Sequence, residues 1–102
     1  MVKCTLPITE KVSNAYGGLH GGATATLVDI VGTMAQLSVD HRKPGVSIDL
    51  NVSYTNKAPI GETVDIEGRV LKSGKSFVFT EVEIRRQSDA KLVAKGRHTK
   101  AF

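Results

Sequence analysis

The chain has few cysteines and few aromatic residues. Its 102 residues include one cysteine, Cys4, and no tryptophan, and aromatic side chains make up 5% of the total. A lone cysteine excludes an internal disulfide framework and a multi-cysteine metal site, and it fits a reducing intracellular compartment. The shortage of aromatics argues against a surface that stacks the bases of single-stranded nucleic acid.

Long apolar runs are missing as well. There is no run of 18 apolar residues to cross a bilayer, and the first residues lack the charged-then-apolar order of a secretion signal. We therefore expect no membrane insertion. The net charge of +4 favours an anionic partner, but the 14 basic residues are scattered, which argues against nucleic acid as that partner.

The length of the chain fits one domain. With 40% hydrophobic content, residues 1–102 can form one compact core and are too few for two ordinary domains. A domain of this size buries only about two-thirds of its unfolded surface, so self-association would add useful burial.

Hydrophobic periodicity predicts a strand, a loop and then a long helix. Residues 2–12 alternate as a strand does, and the glycine-rich residues 13–19 are typical of a loop. From residue 22 to about residue 39, apolar side chains recur at the three- and four-residue intervals of one helical face. These are Ala23, Leu27, Ile30, Met34 and Leu37, and Val28, Val31 and Ala35 widen the stripe. Pro44 and Gly45 indicate the turn that leaves the helix.

Four strands are predicted after that turn. The first has an apolar face of Val46, Ile48, Leu50, Val52 and Tyr54. Its opposite, polar face consists of Ser47, Asp49, Asn51 and Ser53. Turns at residues 72–75 and 88–90 connect the last three strands as hairpins, which makes them antiparallel. One apolar helix beside five antiparallel strands is buried if the sheet curls around it, which is an α+β architecture.

Polar groups at the start of the helix and inside it mark the candidate site. Gly21 and Gly22 expose backbone N–H groups at the positive end of the helix, where they can polarise a carbonyl oxygen. Asp29 lies two turns further on, in a polar strip on an otherwise apolar helix. Its carboxylate is either a general base or nucleophile, or a rim residue that meets solvent.

Two neighbouring residues also have two interpretations each. His20 is either a catalytic base or, more in keeping with its place before a helix, a structural residue that orients the loop. Asn14 either holds water or favours the turn. The sequence contains no serine nucleophile elbow, Walker loop or metal-binding histidine pair, and His98 is interpreted as a sheet residue.

Three runs of sequence carry a family resemblance. They are Leu19-His20-Gly21-Gly22 with Asp29, Pro44-Gly45-Val46-Ser47-Ile48-Asp49-Leu50, and Gly96-Arg97-His98-Thr99-Lys100. Over nearly its whole length the chain resembles the acyl-CoA thioesterases of the hotdog-fold family. The resemblance implies a five-stranded sheet wrapped around one central helix, hydrolysis of medium- to long-chain fatty acyl-CoA, and a cytoplasmic or mitochondrial location. It also implies that two subunits join their sheets, that the dimers pair into tetramers, and that no cofactor or metal is needed.

The same resemblance assigns roles to individual residues. Asp29 would be the base or nucleophile, Asn14 of the facing subunit and Ser47 would help to orient water, Gly21 would bind the thioester oxygen, and His20 would support that loop. Two segments would contact coenzyme A. They are Tyr54, Thr55, Asn56, Lys57, Ala58 and Pro59, and Lys72, Ser73, Gly74, Lys75, Ser76 and Phe77. Lys57, Lys72 and Lys75 would meet phosphates, although each could equally be a solvated turn lysine.

Several alternatives remain at this point. A hotdog hydratase is disfavoured because no aspartate here has a histidine five residues later. A thioesterase for aryl-acetyl thioesters and a non-catalytic acyl-CoA-binding protein both fit the fold. Relatives usually carry a segment before the first strand, whereas this chain begins almost at that strand, so targeting cannot be inferred.

Overall fold

The computed structural model describes residues 1–15, 17–39 and 45–102. Of the predicted exit turn, Pro44 lies outside the described residues. The elements are β1 (Val2–Pro7), a 3₁₀ turn (Glu10–Val12), α1 (Gly21–Val39), β2 (Val46–Tyr54), β3 (Thr63–Ser73), β4 (Phe77–Arg86) and β5 (Leu92–Ala101). The strands form one antiparallel sheet in the order β1-β3-β4-β5-β2. One long helix packed on a five-stranded antiparallel sheet confirms the predicted α+β hotdog fold.

The first strand is shorter than its sequence pattern predicts. β1 pairs with β3 only as far as Pro7, opposite Thr63. The chain then turns, with the N–H of Val12 donating to the carbonyl of Thr9 at 3.2 Å. Ile8 continues the apolar alternation because it is buried in the core, at 2% exposed, and not because the strand continues. The prediction of a strand over residues 8–12 was therefore wrong.

The helix buries one side of its predicted apolar stripe, rotated towards the residues that widen it, Val28, Val31 and Ala35. Its buried residues are Thr24, Val28, Val31, Gly32, Ala35 and Gln36. Two glycines of the sheet explain this rotation: a Cβ on Gly96 would lie 2.5 Å from a methyl group of Val28, and one on Gly68 would lie 2.8 Å from a methyl group of Val31. Close approach at these glycines therefore determines which side of α1 meets the sheet. Of the other predicted apolar residues, Leu27 packs partly against the core, whereas Ile30 and Met34 are exposed.

β2 is an edge strand that the helix barely covers. α1 packs mainly on β3 and β4, which lie further across the sheet. Val46, Ile48 and Leu50 of β2 are exposed. They were predicted to share one apolar face, but a shift in strand pairing puts Leu50 on the helix side and Val46 on the opposite side. Within the part of the chain that the structure describes, no helix is both long and apolar enough to cross a membrane.

Candidate active site

The start of α1 is held by the loop before it. His20 precedes the first helical residue, and its Nδ1 accepts a hydrogen bond from the N–H of Gly22 at 2.9 Å. Because a backbone N–H can only donate, Nδ1 is the unprotonated nitrogen and the ring proton lies on Nε2. This is the helix-capping contact that a Ser or Asp side chain often makes, so His20 orients the loop as its structural interpretation predicts.

Asn14 closes the turn that leads to this helix start. Its N–H donates to the carbonyl of Gly18 at 2.7 Å, and its Oδ1 accepts from the N–H of Gly18 at 3.2 Å. The N–H of Gly17, which has a φ of 76°, donates back to the carbonyl of Asn14 at 3.2 Å. In its own subunit, Asn14 is thus a turn residue, as one of its two interpretations predicts.

Asp29, Ser47 and His98 come together between α1 and the sheet. The Nε2 atom of His98 lies 2.6 Å from the Oγ of Ser47 and 3.7 Å from the Oδ1 of Asp29. The imidazole has no exposed surface, whereas half of the Asp29 side chain is exposed. The carboxylate can therefore meet a substrate on one side while its other side faces a buried polar pair.

A β-bulge brings Ser47 into this cluster. The pairing of β2 with β5 shifts between Ser47 and Asp49, so that Ser47 lies opposite Lys100 and Asp49 lies opposite Thr99. The bulge adds a residue and reverses the alternation beyond it. Ser47 therefore shares the helix side with Leu50, and its predicted position on the face of Asp49 was wrong.

His98 is the member of the cluster to which no functional role was given. It does lie in a strand, β5, as predicted, but it also contacts both Ser47 and Asp29. One signal in the sequence could have identified it. His98 shares strand parity with Ala94 and Gly96, whose small side chains are typical of a face that a helix approaches closely.

The two segments predicted to contact coenzyme A lie at opposite ends of the sheet. At one end, the N–H of Thr55 donates to the carbonyl of Val93 at 2.9 Å, and the Tyr54 hydroxyl donates to the carbonyl of Gly21 at 3.0 Å. At the other end, the N–H of Phe102 donates to the carbonyl of Ser76 at 3.1 Å. The ten residues of β5 separate the two ends by roughly 30 Å. The segment from Tyr54 thus adjoins the helix start, whereas the hairpin from Lys72 does not.

Other members of these segments are held by side-chain and backbone hydrogen bonds. Asn56 donates through Nδ2 to the carbonyl of Leu92 at 2.8 Å. Ala58 is buried, and its carbonyl accepts from the N–H of Leu19 at 2.8 Å, while the carbonyl of Pro59 accepts from the N–H of Glu62 at 3.1 Å. At the hairpin, the N–H of Gly74 donates to the carbonyl of Phe77 at 2.8 Å.

Comparison with known proteins agrees with this geometry. The family model of the thioesterase superfamily matches residues 16–93. The chain belongs to the thioesterase superfamily. This thioesterase is 48% identical over 99 residues to human acyl-coenzyme A thioesterase 13, an alignment that covers 97% of this chain and 71% of the human one. The predicted family is confirmed.

Solved structures show the same fold. The zebrafish thioesterase superfamily member 2 has a TM-score of 0.94 and 44% identity, with coverage of 97% of this chain and 72% of that one. A Streptococcus mutans protein that was crystallised bound to acetyl CoA has a TM-score of 0.85 and 25% identity, with coverage of 99% and 80%.

Charged groups of the thioesterase surround the buried imidazole. Burial lowers the pKa of His98 below its ordinary value, and the nearby Lys100 ammonium lowers this pKa further, against the opposing effects of Asp29 and Asp49. The Lys100 ammonium donates to the Oγ1 of Thr33 at 3.0 Å, one helical turn beyond Asp29. The imidazole is therefore neutral near pH 7. Among the described residues, no group of three or more His, Cys, Asp or Glu side chains is arranged to hold a metal ion.

Proposed function

We propose that this thioesterase hydrolyses medium- to long-chain fatty acyl-CoA to a free fatty acid and coenzyme A. The observation that carries the proposal is the half-exposed Asp29 carboxylate beside the Ser47 and His98 pair, in a chain of the thioesterase superfamily. Its relative in humans is named an acyl-coenzyme A thioesterase, and a structural neighbour binds acetyl CoA. Both names support a thioester of coenzyme A as the substrate.

The chemistry needs a carboxylate and a donor to the carbonyl oxygen. In one route, Asp29 removes a proton from water as the water attacks the thioester carbon; the C–S bond then breaks, and that proton goes to the departing thiolate. In the other route, Asp29 attacks the carbon itself, and the C–S bond breaks to leave a mixed anhydride on Asp29. Water then hydrolyses this anhydride, which releases the fatty acid, restores the Asp29 carboxylate and supplies the proton for the thiolate. The N–H of Gly21, at the first position of α1, stabilises the negative charge that develops on the carbonyl oxygen.

One subunit cannot supply both groups to the same carbonyl. Gly21 and Asp29 are eight residues apart in α1, which separates them by about 12 Å along the helix axis. A carbonyl carbon and its oxygen require groups only a few ångströms apart. We therefore assign the Gly21 and the Asp29 of each active site to different subunits, with Asn14 near the water on the side of Gly21.

The edge strand β2 supplies the surface for such a dimer. It is nine residues long, with exposed apolar side chains at Val46, Ile48 and Leu50. A long apolar edge of this kind pairs readily with another strand. Antiparallel pairing of β2 with its copy across a twofold axis would extend the sheet and bring the Tyr54 end of one subunit beside the Val46 end of its partner.

The same twofold axis would complete the coenzyme A site. The Tyr54 end carries residues 54–59 and the helix start, while the Val46 end adjoins the hairpin of residues 72–77. These two segments are far apart in one chain but become neighbours across the dimer. Lys57 from one subunit with Lys72 and Lys75 from the other would then meet the phosphates of coenzyme A.

Apolar surface beside Asp29 supports a substrate with a long acyl chain. Leu50 and Val52 lie on the helix side of β2, where α1 does not cover them fully, and they would form the floor of an acyl pocket between two subunits. The exposed outer face of α1, with Ile30 and Met34, is a separate apolar surface. We assign it to the contact between two dimers, which gives a tetramer.

The first experiment measures free-thiol release from short, medium, long and aryl-acetyl CoA thioesters. Asp29→Ala should lose at least about a hundredfold in turnover, the scale expected for a positioned base. Asp65→Ala, which removes a carboxylate far from the cluster, is the matched control and should keep its activity. Release from aryl-acetyl CoA alone would replace the fatty-acyl assignment, and tight binding without release would make the chain a binding protein.

A further inference from the structure

His98 is a buried imidazole with an unusual set of contacts. Its Nε2 lies 2.6 Å from the Ser47 Oγ and 3.7 Å from the Asp29 Oδ1. Within the described residues, its Nδ1 has no hydrogen-bond partner. One ring nitrogen of this buried histidine is therefore directed at both a serine hydroxyl and a half-exposed carboxylate.

The structure around His98 fixes the ring tightly. Gly32 of α1 lies against it, since a Cβ on Gly32 would be 3.5 Å from Nδ1 and only 2.8 Å from the Thr80 Oγ1. The Thr80 hydroxyl in turn donates to the carbonyl of His98 at 3.0 Å. Both the helix and the neighbouring strand β4 therefore pack closely against His98.

The hydrogen-bonding capacity of the ring identifies its protonated nitrogen. A neutral imidazole has one N–H, and a buried N–H without an acceptor is rarer in proteins than a buried acceptor without a donor. Because Nδ1 has no partner among the described residues, the proton lies on Nε2. Nε2 then donates to the Ser47 Oγ and presents its positive edge to Asp29, which is too distant for a hydrogen bond.

This assignment leaves the proton of the Ser47 hydroxyl available. The Ser47 oxygen accepts from His98, so its own O–H can point elsewhere, towards Asp29 or a water molecule between them. The charged groups that act electrostatically on the ring are Asp29 from α1, Lys100 from β5 and, from the other face of the sheet, Asp49 of β2. Nε2 lies 3.7 Å from the Oδ1 of Asp29, so this edge of the ring is directed at that carboxylate.

We propose that His98 is a positioning residue of the thioesterase site, which holds Ser47 through Nε2 and thereby orients the Asp29 carboxylate and its water. The proposal rests on the function proposed above. It predicts that the catalytic step depends on a donor at the position of Nε2, whereas substrate binding does not. If His98 had only a structural role, its variants would instead lose activity only in proportion to their loss of protein stability.

Two substitutions separate these roles. In His98→Gln the side-chain amide can reach the Nε2 position, whereas in His98→Asn the amide ends near the Nδ1 position. With an acyl-CoA substrate, we expect His98→Gln to keep kcat within about tenfold of wild type and His98→Asn to lose about a hundredfold, the scale of a misplaced reacting group. KM should stay within about twofold of the wild-type value in both variants, because the contact with His98 would act in the transition state and not in substrate binding.

The controls distinguish this proposal from the one it rests on. Thermal melts and oligomer size are recorded for each variant. The double variant with Ser47→Ala and His98→Asn should lose little more kcat than either single variant, since both substitutions break the same contact. Equal losses in both His98 variants that follow their melting temperatures would overturn the positioning role and leave the thioesterase assignment standing. No release by the wild-type protein would overturn both.

A spectroscopic measurement covers the case in which His98→Asn does not fold. In wild-type protein labelled with ¹⁵N at histidine, the two ring nitrogens of His98 should report a proton on Nε2 and none on Nδ1 at neutral pH. Ser47→Ala should shift the Nε2 resonance and leave that of His20 unchanged. A proton on Nδ1 would contradict the proposed contact.

Discussion

Complementation between two inactive variants tests the active site shared by two subunits. Asp29→Ala removes the carboxylate. Gly21→Pro removes the N–H that would bind the carbonyl oxygen, and proline is well tolerated at the first position of a helix. Each variant alone should be inactive. Gly21→Ala keeps the N–H, and its Cβ would lie 3.8 Å from the Tyr54 ring, so it should lose far less activity than Gly21→Pro.

The expected recovery follows from the separation along the helix. Because Gly21 and Asp29 of one chain lie about 12 Å apart, each site takes its Gly21 from one subunit and its Asp29 from the other. After unfolding and joint refolding, random pairing makes half of the dimers mixed. Every mixed dimer has one site with both groups intact and one site with neither, so the mixture should recover about one quarter of the wild-type activity per chain.

The assay compares thiol release by the refolded mixture with that of each variant refolded alone. A recovery near one quarter supports a site shared between subunits. If both groups of a site came from one chain, every site in a mixed dimer would lack one group and no activity would return. That result would refute the reasoning from the helix geometry.

Three further results are expected. Gly96→Ala should lower the free energy of unfolding by roughly 1–3 kcal/mol in urea titrations, because its Cβ would lie 2.5 Å from Val28, whereas Gly21→Ala should change it little. Since burial lowers the pKa of His98 below 6.5, only the unfolded state gains this proton as the pH falls through that value. Stability should then fall by up to about 1.4 kcal/mol per pH unit, and His98→Gln should remove that slope; an unchanged slope would exclude His98 as its source. Lys72→Ala should raise the KM for acyl-CoA several-fold, with kcat unchanged, and a loss in kcat alone would contradict phosphate binding.

The fold could be predicted from sequence because its periodicities are simple. The four strands after the helix have the predicted order and turns, and the helix ends at Val39 as expected. The orientation of the helix could not be predicted from hydrophobicity. It depends on Gly68 and Gly96, which lie in other strands and become important only when the sheet brings them under α1.

The candidate site shows the same limit more clearly. Asp29 and Gly21 are prominent in the sequence because they interrupt or begin an apolar helix. Ser47 depends on a β-bulge, which reverses the alternation of β2 at this point, so a strict period of two assigns it to the wrong face. His98 is separated from Ser47 by 51 residues and from Asp29 by still more, so only the pairing of β2 with β5 brings them together.

The incomplete core and the incomplete site have one structural origin. α1 lies over β3 and β4 and covers little of β2, so Leu50 of that strand is exposed on the same flank where half of Asp29 remains exposed. A helix centred on the sheet would bury both, and the carboxylate would then be costly and out of reach of a substrate. The off-centre helix instead leaves an apolar surface that a second subunit would cover. That subunit would also bring its Gly21 N–H close to Asp29, whose own Gly21 is too far away. In this arrangement, the surface that needs burial for stability is also the surface that needs a partner for catalysis.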